Sequence, residues 1–199
     1  MSVLEEVLRA TVQPGNRTAA AMRLHGRVED SFSAVLHAWN NRDAGAMRPY
    51  VSRAYLERAR RELEVLDRKF HVNRIEDVEL RNIAVRRPHE GARAEPIEAY
   101  VEFVARIWLE DLRSGELLGG DPASARAFTQ RWSFIFRPGR GWVTDSAESV
   151  WTAPAEQAIT EEWPGLPPGW YSTRGRPSLW QRRDGSAWVD SRDGGAGAR

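Results

Sequence analysis

Residues 97–110 read IEAYVEFVARIWLE. Ile97, Ala99, Val101, Phe103, Ala105, Ile107 and Leu109 share one parity, and Glu98, Tyr100, Glu102, Val104, Arg106, Trp108 and Glu110 the other. A period of two over this length is a β-strand with one apolar face and one mostly polar face. Antiparallel sheets carry that alternation, whereas strands of a parallel sheet are apolar on both faces.

Working outward, the neighbouring segments agree. Before the strand, Val78 and Leu80 alternate, and then the apolar phase moves to Ile83 and Val85. A phase change inside a strand predicts a β-bulge. Residues 88–96 read as a loop. After the strand, Leu112 to Ser124 reads as a loop with Gly115 and Gly119-Gly120, followed by Phe128, Trp132, Phe134 and Phe136, an aromatic set interrupted by Gln130. Pro138-Gly139-Arg140-Gly141 is a hairpin turn, and a strand from Trp142 to Trp151 returns.

Upstream of Asn73 the period is 3.6. Val28, Phe32, Val35, Leu36 and Trp39 form one helical stripe, ended by Asn40-Asn41. Asp43 and Ser52 are cap residues, for a short helix around Met47 and for a longer one in which Tyr55, Ala59, Leu63, Leu66 and Phe70 share a face. Its other face alternates Glu and Arg at i, i+4, which reads as a solvated surface with weak ion pairs. Residues 2–5 (SVLE) read as a capping box opening a first short helix that ends by Pro14-Gly15. Helices followed by about four antiparallel strands make an α+β fold, with N-terminal helices packed on a strongly curved, cone-like sheet. The expected organisation is an N-terminal helical extension over 1–26, the cone-like domain over 27–152, a Pro-rich linker over 153–168, a small Trp-rich module over 169–190 and a disordered tail over 191–199.

Composition narrows the function classes. The 199 residues hold 29 basic and 28 acidic side chains, for a net charge of +1, so the strong basic excess of a nucleic-acid binder is missing. There is no cysteine, which removes disulfides, thiolate metal sites and thiol nucleophiles together. No apolar run approaches the ~20 residues that span a bilayer, and the first turn, with Glu5 and Glu6, is unlike a signal peptide. The expected location is cytoplasmic, with peripheral contact at the inner face of the cell membrane left open. His25, His37, His71 and His89 have no metal-ligand spacing, and no phosphate-cradling glycine loop or nucleophile elbow occurs. Neither a metal nor a cofactor is expected. Three groups are candidates for acid–base chemistry: His37 at the edge of its helix's apolar stripe, Tyr55 as a rim tyrosine, and Glu102, expected on the wet face of its strand. Nothing pairs them, so no catalytic residue is assigned.

The residues placed to line a concavity are Trp39, Tyr55, Phe103, Trp132 and Phe134. Such side chains are core in most proteins; the functional alternative is an apolar pocket or groove for a peptide, a lipid tail or a small ligand.

The order and spacing of several short motifs resemble a known family. Phe32-x-x-Val35-x-x-Ala38-Trp39-x-x-x-Asp43 and residues 47–56 (MRPYVSRAYL) resemble the opening of the Tim-forty-four-like domain, the C-terminal domain of the mitochondrial import-motor tether and of bacterial relatives. Asn73-x-Ile75-x-x-Val78 resembles its first strand, Tyr100-Val101-x-Phe103 its second, and Gln130-x-Trp132-x-Phe134 with Gly141-Trp142 its closing hairpin. The resemblance covers about residues 27–152. It implies a cone of the nuclear-transport-factor-two-like class and a role in tethering at membranes or on protein machines, without catalysis. In many relatives a long N-terminal region carries the partner-binding or membrane-spanning segments; a chain without that region is expected to share the fold and the tethering role rather than the import role.

The tail has its own resemblance. Pro167-Pro168-Gly169-Trp170-Tyr171, then Trp180 and Arg183-Asp184-Gly185-Ser186-Ala187-Trp188, is similar to a short Trp-rich module common in actinobacterial envelope-associated proteins, with Ser172-Thr173 in place of its Asp-Pro and Arg183 in place of a Trp. Trp170, Tyr171, Trp180 and Trp188 are docking candidates, because tryptophan and tyrosine are enriched at binding hot spots.

The reading that unites these features is a non-enzymatic binding or scaffold protein. Its expected partner is a protein or larger assembly, with a lipid or small apolar ligand as a further occupant; no nucleic acid is expected and the oligomeric state is open. The rivals are a small cone-fold isomerase or hydro-lyase using one acid–base residue, and a ribosome- or RNA-associated protein whose contacts are Arg58, Arg60, Arg61 and Arg68.

Overall fold

A computed structural model describes residues 14–86, 96–154, 167, 169–173, 176–183 and 188–193. The element order is α1 (Pro14–Asn40), α2 (Arg53–Lys69), β1 (His71–Arg86), β2 (Ile97–Asp111), β3 (Leu117–Gly120), β4 (Arg126–Arg137), β5 (Gly141–Pro154), β6 (Gly169–Thr173), β7 (Arg176–Arg183) and β8 (Trp188–Asp193). The first short helix expected before Pro14 and the loop at 88–95 lie outside the described residues.

α1 buries Leu24, Val28, Phe32, Val35 and Ala38, with Leu36 and Trp39 partly buried beside them. Asn40 ends the helix and also clamps β1: its Nδ2 donates to the Ile75 carbonyl at 2.7 Å and its Oδ1 accepts from the Ile75 amide at 3.0 Å. Asp43 does not open a helix. Its Oδ1 accepts from the amides of Gly45 and Ala46 and shapes a series of turns around the buried Met47. Ser52 caps α2, its hydroxyl accepting from the Tyr55 amide at 3.1 Å. α2 buries Tyr55, Leu56, Ala59 and Leu63. Phe70, expected on that face, follows the helix in a left-handed conformation (φ 59°) that turns its ring outward. On the charged face the described ion pair of Glu57 is with Arg53 rather than Arg61.

The sheet is antiparallel, in the order β5-β4-β2-β1-β6-β7-β8, with β3 paired to β2, and it does not close. The expected bulge in β1 is present as two register shifts, between Glu76 and Glu79 and between Leu80 and Asn82. Further shifts between Thr129 and Gln130 and between Ser133 and Phe134 lie in the β4–β5 pair. Bulges bend strands and increase local twist, which gives the sheet its curvature. The four expected strands are β1, β2, β4 and β5. β3 adds a strand inside the segment read as a loop, and β6 continues the sheet from β1 through the pairs Ala84–Thr173, Val85–Ser172 and Arg86–Tyr171.

α1 and α2 lie on one face, over Ile75, Ile83, Val85, Ala99, Val101, Phe103, Ala105, Trp132 and Phe134, all buried in a single core. The segment between the helices is tied to the β4–β5 hairpin. The Ser52 amide donates to the Thr144 carbonyl at 2.7 Å, the Thr144 amide to the Tyr50 carbonyl at 2.9 Å, and the Arg27 guanidinium to the carbonyls of Trp142 and Pro49.

Candidate functional site

The aromatic residues singled out in the sequence fall into two groups. Phe103, Trp132 and Phe134 are fully buried where the sheet meets α1. Phe32 brings them together: its ring centroid is 5.0 Å from that of Phe103 and 5.8 Å, edge-on, from that of Trp132, while Trp132 stacks on Phe134 at 6.4 Å and Phe103 on Phe128 at 5.1 Å. Tilted and offset pairs at these separations are the favoured aromatic geometry. Gln130, the break in the aromatic run, accepts the Trp132 indole N–H at 3.1 Å, so a buried donor is satisfied by the residue two positions earlier on its own strand.

Trp39 and Tyr55 form the second group, where α1 meets α2. Burial pushes the Tyr55 hydroxyl above its ordinary pKa, opposed by a hydrogen bond from Trp39 and by the charge of Arg58, whose guanidinium lies 5.2 Å from the centre of the Tyr55 ring. The described cleft is elsewhere. It measures about 540 Å³ and opens between the α2 N-terminus, with Ser52, Arg53 and Glu57, and the β4–β5 hairpin, with Arg137, Arg140 and Asp145. None of the five aromatic candidates lines it.

Of the acid–base candidates, Tyr55 is part of the buried core, and His37 and Glu102 are not. His37 is exposed on α1, with the Asn41 amide group 3.2 Å from its ring. Glu102 has the outward parity expected of it but is buried, and burial raises its pKa to about 7 against the opposing charge of Arg81. Among the described residues, no group of three or more metal-ligating side chains is placed to hold an ion, and no helix is long and apolar enough to cross a membrane.

A family model for the Tim44-like domain matches residues 20–152, well over half of the chain. The chain belongs to that family. No curated protein matches the sequence. Among solved structures, the intermembrane space region of the chloroplast protein ARC6 is similar over 61% of this chain and 92% of its own, with 16% identity and a TM-score of 0.41.

The docking candidates of the tail lie beyond the matched region. Trp170 lies on β6, Trp180 on β7 and Trp188 on β8, in the registers Trp170–Arg182, Ser172–Trp180 and Arg183–Trp188. Tyr171 is fully buried on the outer face of the sheet, edge-on to Tyr100 at 5.9 Å, and its hydroxyl donates to the Pro167 carbonyl at 2.7 Å. Around this contact the outer face carries a polar row that the sequence pattern did not single out as a unit. Arg86 meets Glu98 at 2.9 Å, Arg131 meets Glu148 at 2.6 Å, and the Tyr100 hydroxyl donates to Glu98 at 3.4 Å. The signal for it was the opposite charges at matching parity on adjacent strands, legible only once the register is known.

Proposed function

We propose that this Tim44-like domain is a non-enzymatic tether: it docks onto a protein or larger assembly, peripherally to a membrane, with the Trp-bearing tail strands as a second contact. The observation that carries this reading is the placement of the aromatic set relative to the titratable groups. Phe103, Trp132 and Phe134 close on Phe32 and Phe128, while His37 is exposed on α1 and Glu102 is on the opposite face of the sheet. An isomerase or hydro-lyase of this fold needs an acid–base side chain aimed into an apolar pocket. Membership of the Tim44-like family supports the same choice.

The test is native size-exclusion chromatography of the tagged chain expressed at its normal level, with and without brief cross-linking. A tether elutes in a defined assembly far larger than its own 22.6 kDa and moves to the free position when the docking surface is altered. Elution as the free chain under both conditions would falsify the reading.

A further inference from the structure

Within the matched region, which ends at residue 152, β1 has a described strand on one side only. β2 pairs with it from His71 to Val85. The opposite edge of β1 is covered in pieces. Near its start, Ile75 gives both backbone groups to the Asn40 side chain, at 2.7 and 3.0 Å. Further on, Glu76–Glu79 and Arg81 are exposed. Among the described residues, a strand covers this edge only at Ala84, Val85 and Arg86, and that strand is β6. Unpaired edges recruit other chains, and proteins blunt them with local covers of this kind.

β6 is better joined to β7 than to this edge. It pairs with β7 over Gly169–Thr173, but with β1 only through Tyr171, Ser172 and Thr173. The seat it occupies on β1 is simple. It offers backbone pairing at Ala84–Arg86 and one place for a ring, where Tyr171 is buried against Ala84 and lies edge-on to Tyr100 at 5.9 Å. The hydroxyl of that ring donates to the Pro167 carbonyl at 2.7 Å, so the segment brings the anchor of its own ring. Thr173 also pairs with Arg176 of β7. The turn into β7 ends the contact with β1 there, and β6 leaves Ile83 and Asn82 unpaired on this side.

We infer that the β1 edge at Ala84–Arg86 is a strand-addition site for an extended segment of a protein partner that carries one aromatic side chain, and that β6 holds this site closed in cis. The inference rests on the tethering reading and names one of its contacts. In strand addition the main chain supplies affinity and pockets for alternate side chains supply specificity. Here the backbone of Ala84–Arg86 takes the first part and the Tyr171 seat the second. β6 of a second copy makes the same pairs as the cis strand and bears the added cost of association, so it is disfavoured. A partner segment free of the turn continues toward Asn82 and makes pairs that β6 does not. It still has to displace a strand tethered at an effective concentration on the order of millimolar.

The probe is a fluorescein-labelled peptide that copies residues 167–173 (PPGWYST) and continues with Val-Thr-Val, read by fluorescence anisotropy. Tyr171→Ala, which empties the ring seat, is expected to bind it at least about tenfold more tightly than the wild type or Tyr171→Phe, because apparent affinity scales with the fraction of molecules whose edge is free. The same peptide with alanine in place of its tyrosine is expected to lose that binding. If Tyr171→Ala does not keep its melting transition, the wild type carries the test: unlabelled peptide in excess is expected to raise amide exchange across Trp170–Thr173 and to leave Val101 unchanged. Equal binding by Tyr171→Ala and the wild type, binding that ignores the peptide's tyrosine, or β6 exchange that the peptide does not alter overturns the inference. So does a wild-type chain that elutes as a dimer with exchanged tail strands, which gives the edge to a second copy. Peptide binding by a chain that elutes free of any assembly upholds the edge and removes the tethering reading. A defined assembly formed by a chain that does not bind the peptide does the reverse.

Discussion

The carboxyl of Glu102 lies in register with Asn82 on β1 and Thr129 on β4, and 6% of the residue reaches solvent. Thr129 is 1% exposed, and its hydroxyl has no described hydrogen-bond partner. Asn82 is engaged with the Ile83 amide. The charged form of Glu102 is therefore disfavoured by lost hydration, with Arg81 as the opposing charge, and its pKa rises from 4.5 to about 7. A carboxyl that holds its proton more tightly when folded favours the native state at acid pH. That advantage is present below about pH 4.5 and is lost as the pH climbs through 7. The loss amounts to about 3 kcal/mol at most. Urea unfolding between pH 4.5 and 8.5 is expected to show wild-type stability declining toward neutral pH and Glu102→Gln declining less, with the variant the more stable of the two at pH 8.5. Parallel curves for the two proteins would contradict the burial of this carboxyl. The parity of Glu102 was legible in the sequence, but its burial was not. A period of two reports which face a side chain takes, whereas the cover on that face depends on strands far along the chain, as when Tyr171 closes over Tyr100 and Ala84.

At the scale of elements, what could be read was what local pattern governs. The helical stripe of α1, the Ser52 cap and the bulge in β1 each follow from residues a few positions apart. β3 did not, and the reason is specific. Leu117-Leu118-Gly119-Gly120 has two glycines in four residues, a composition that disfavours strands. It pairs because β2 extends past β4 and presents an open edge. Phe70 escaped notice for a related reason: its spacing continues the α2 stripe, but the chain leaves the helix one residue earlier, at Lys69. The fit of β3 against β2 is close at Gly120, which has φ +80°, and a Cβ there would strike the Ile107 carbonyl oxygen and the Trp108 Cα. Gly120→Ala is therefore expected to detach β3 without unfolding the sheet, since β2 keeps its pairing with β1. Amide exchange reads this directly. Protection of Asp121, which donates to the Ile107 carbonyl, is expected to fall by at least about tenfold, while the amides of β2 and β4 around Val101 and Gln130 hold. Global loss of protection would mean that β3 is integral to the core.

Across the whole molecule, the sheet joins two stretches that read separately in the sequence. The helices and β1, β2, β4 and β5 share one core, and the Trp-bearing strands extend it from the β1 edge. The joint is narrow: β6 meets β1 over Ala84, Val85 and Arg86, whereas β1 and β2 are paired along almost their whole length. α1 also reaches β7, giving the tail strands a second support. Tyr171 is the pin of this joint. It is buried, packs edge-on against Tyr100, and its hydroxyl is anchored on the Pro167 carbonyl. Truncating a buried aromatic costs about 3–5 kcal/mol where it leaves a cavity. A local joint of three residue pairs opens at less than that, so Tyr171→Ala is expected to release β6 and β7 while the core keeps its protection. Hydrogen exchange then shows loss across Trp170–Thr173 and Leu179–Arg182 with little change at Phe103 or Trp132, and Tyr171→Phe, which keeps the ring and removes only the hydroxyl, retains the strands with a loss of about 1 kcal/mol. Simultaneous loss in both regions would instead make the tail strands part of a single cooperative unit, and tethering through them would then require the whole domain to stay folded rather than a strand set that can be exchanged at its edge.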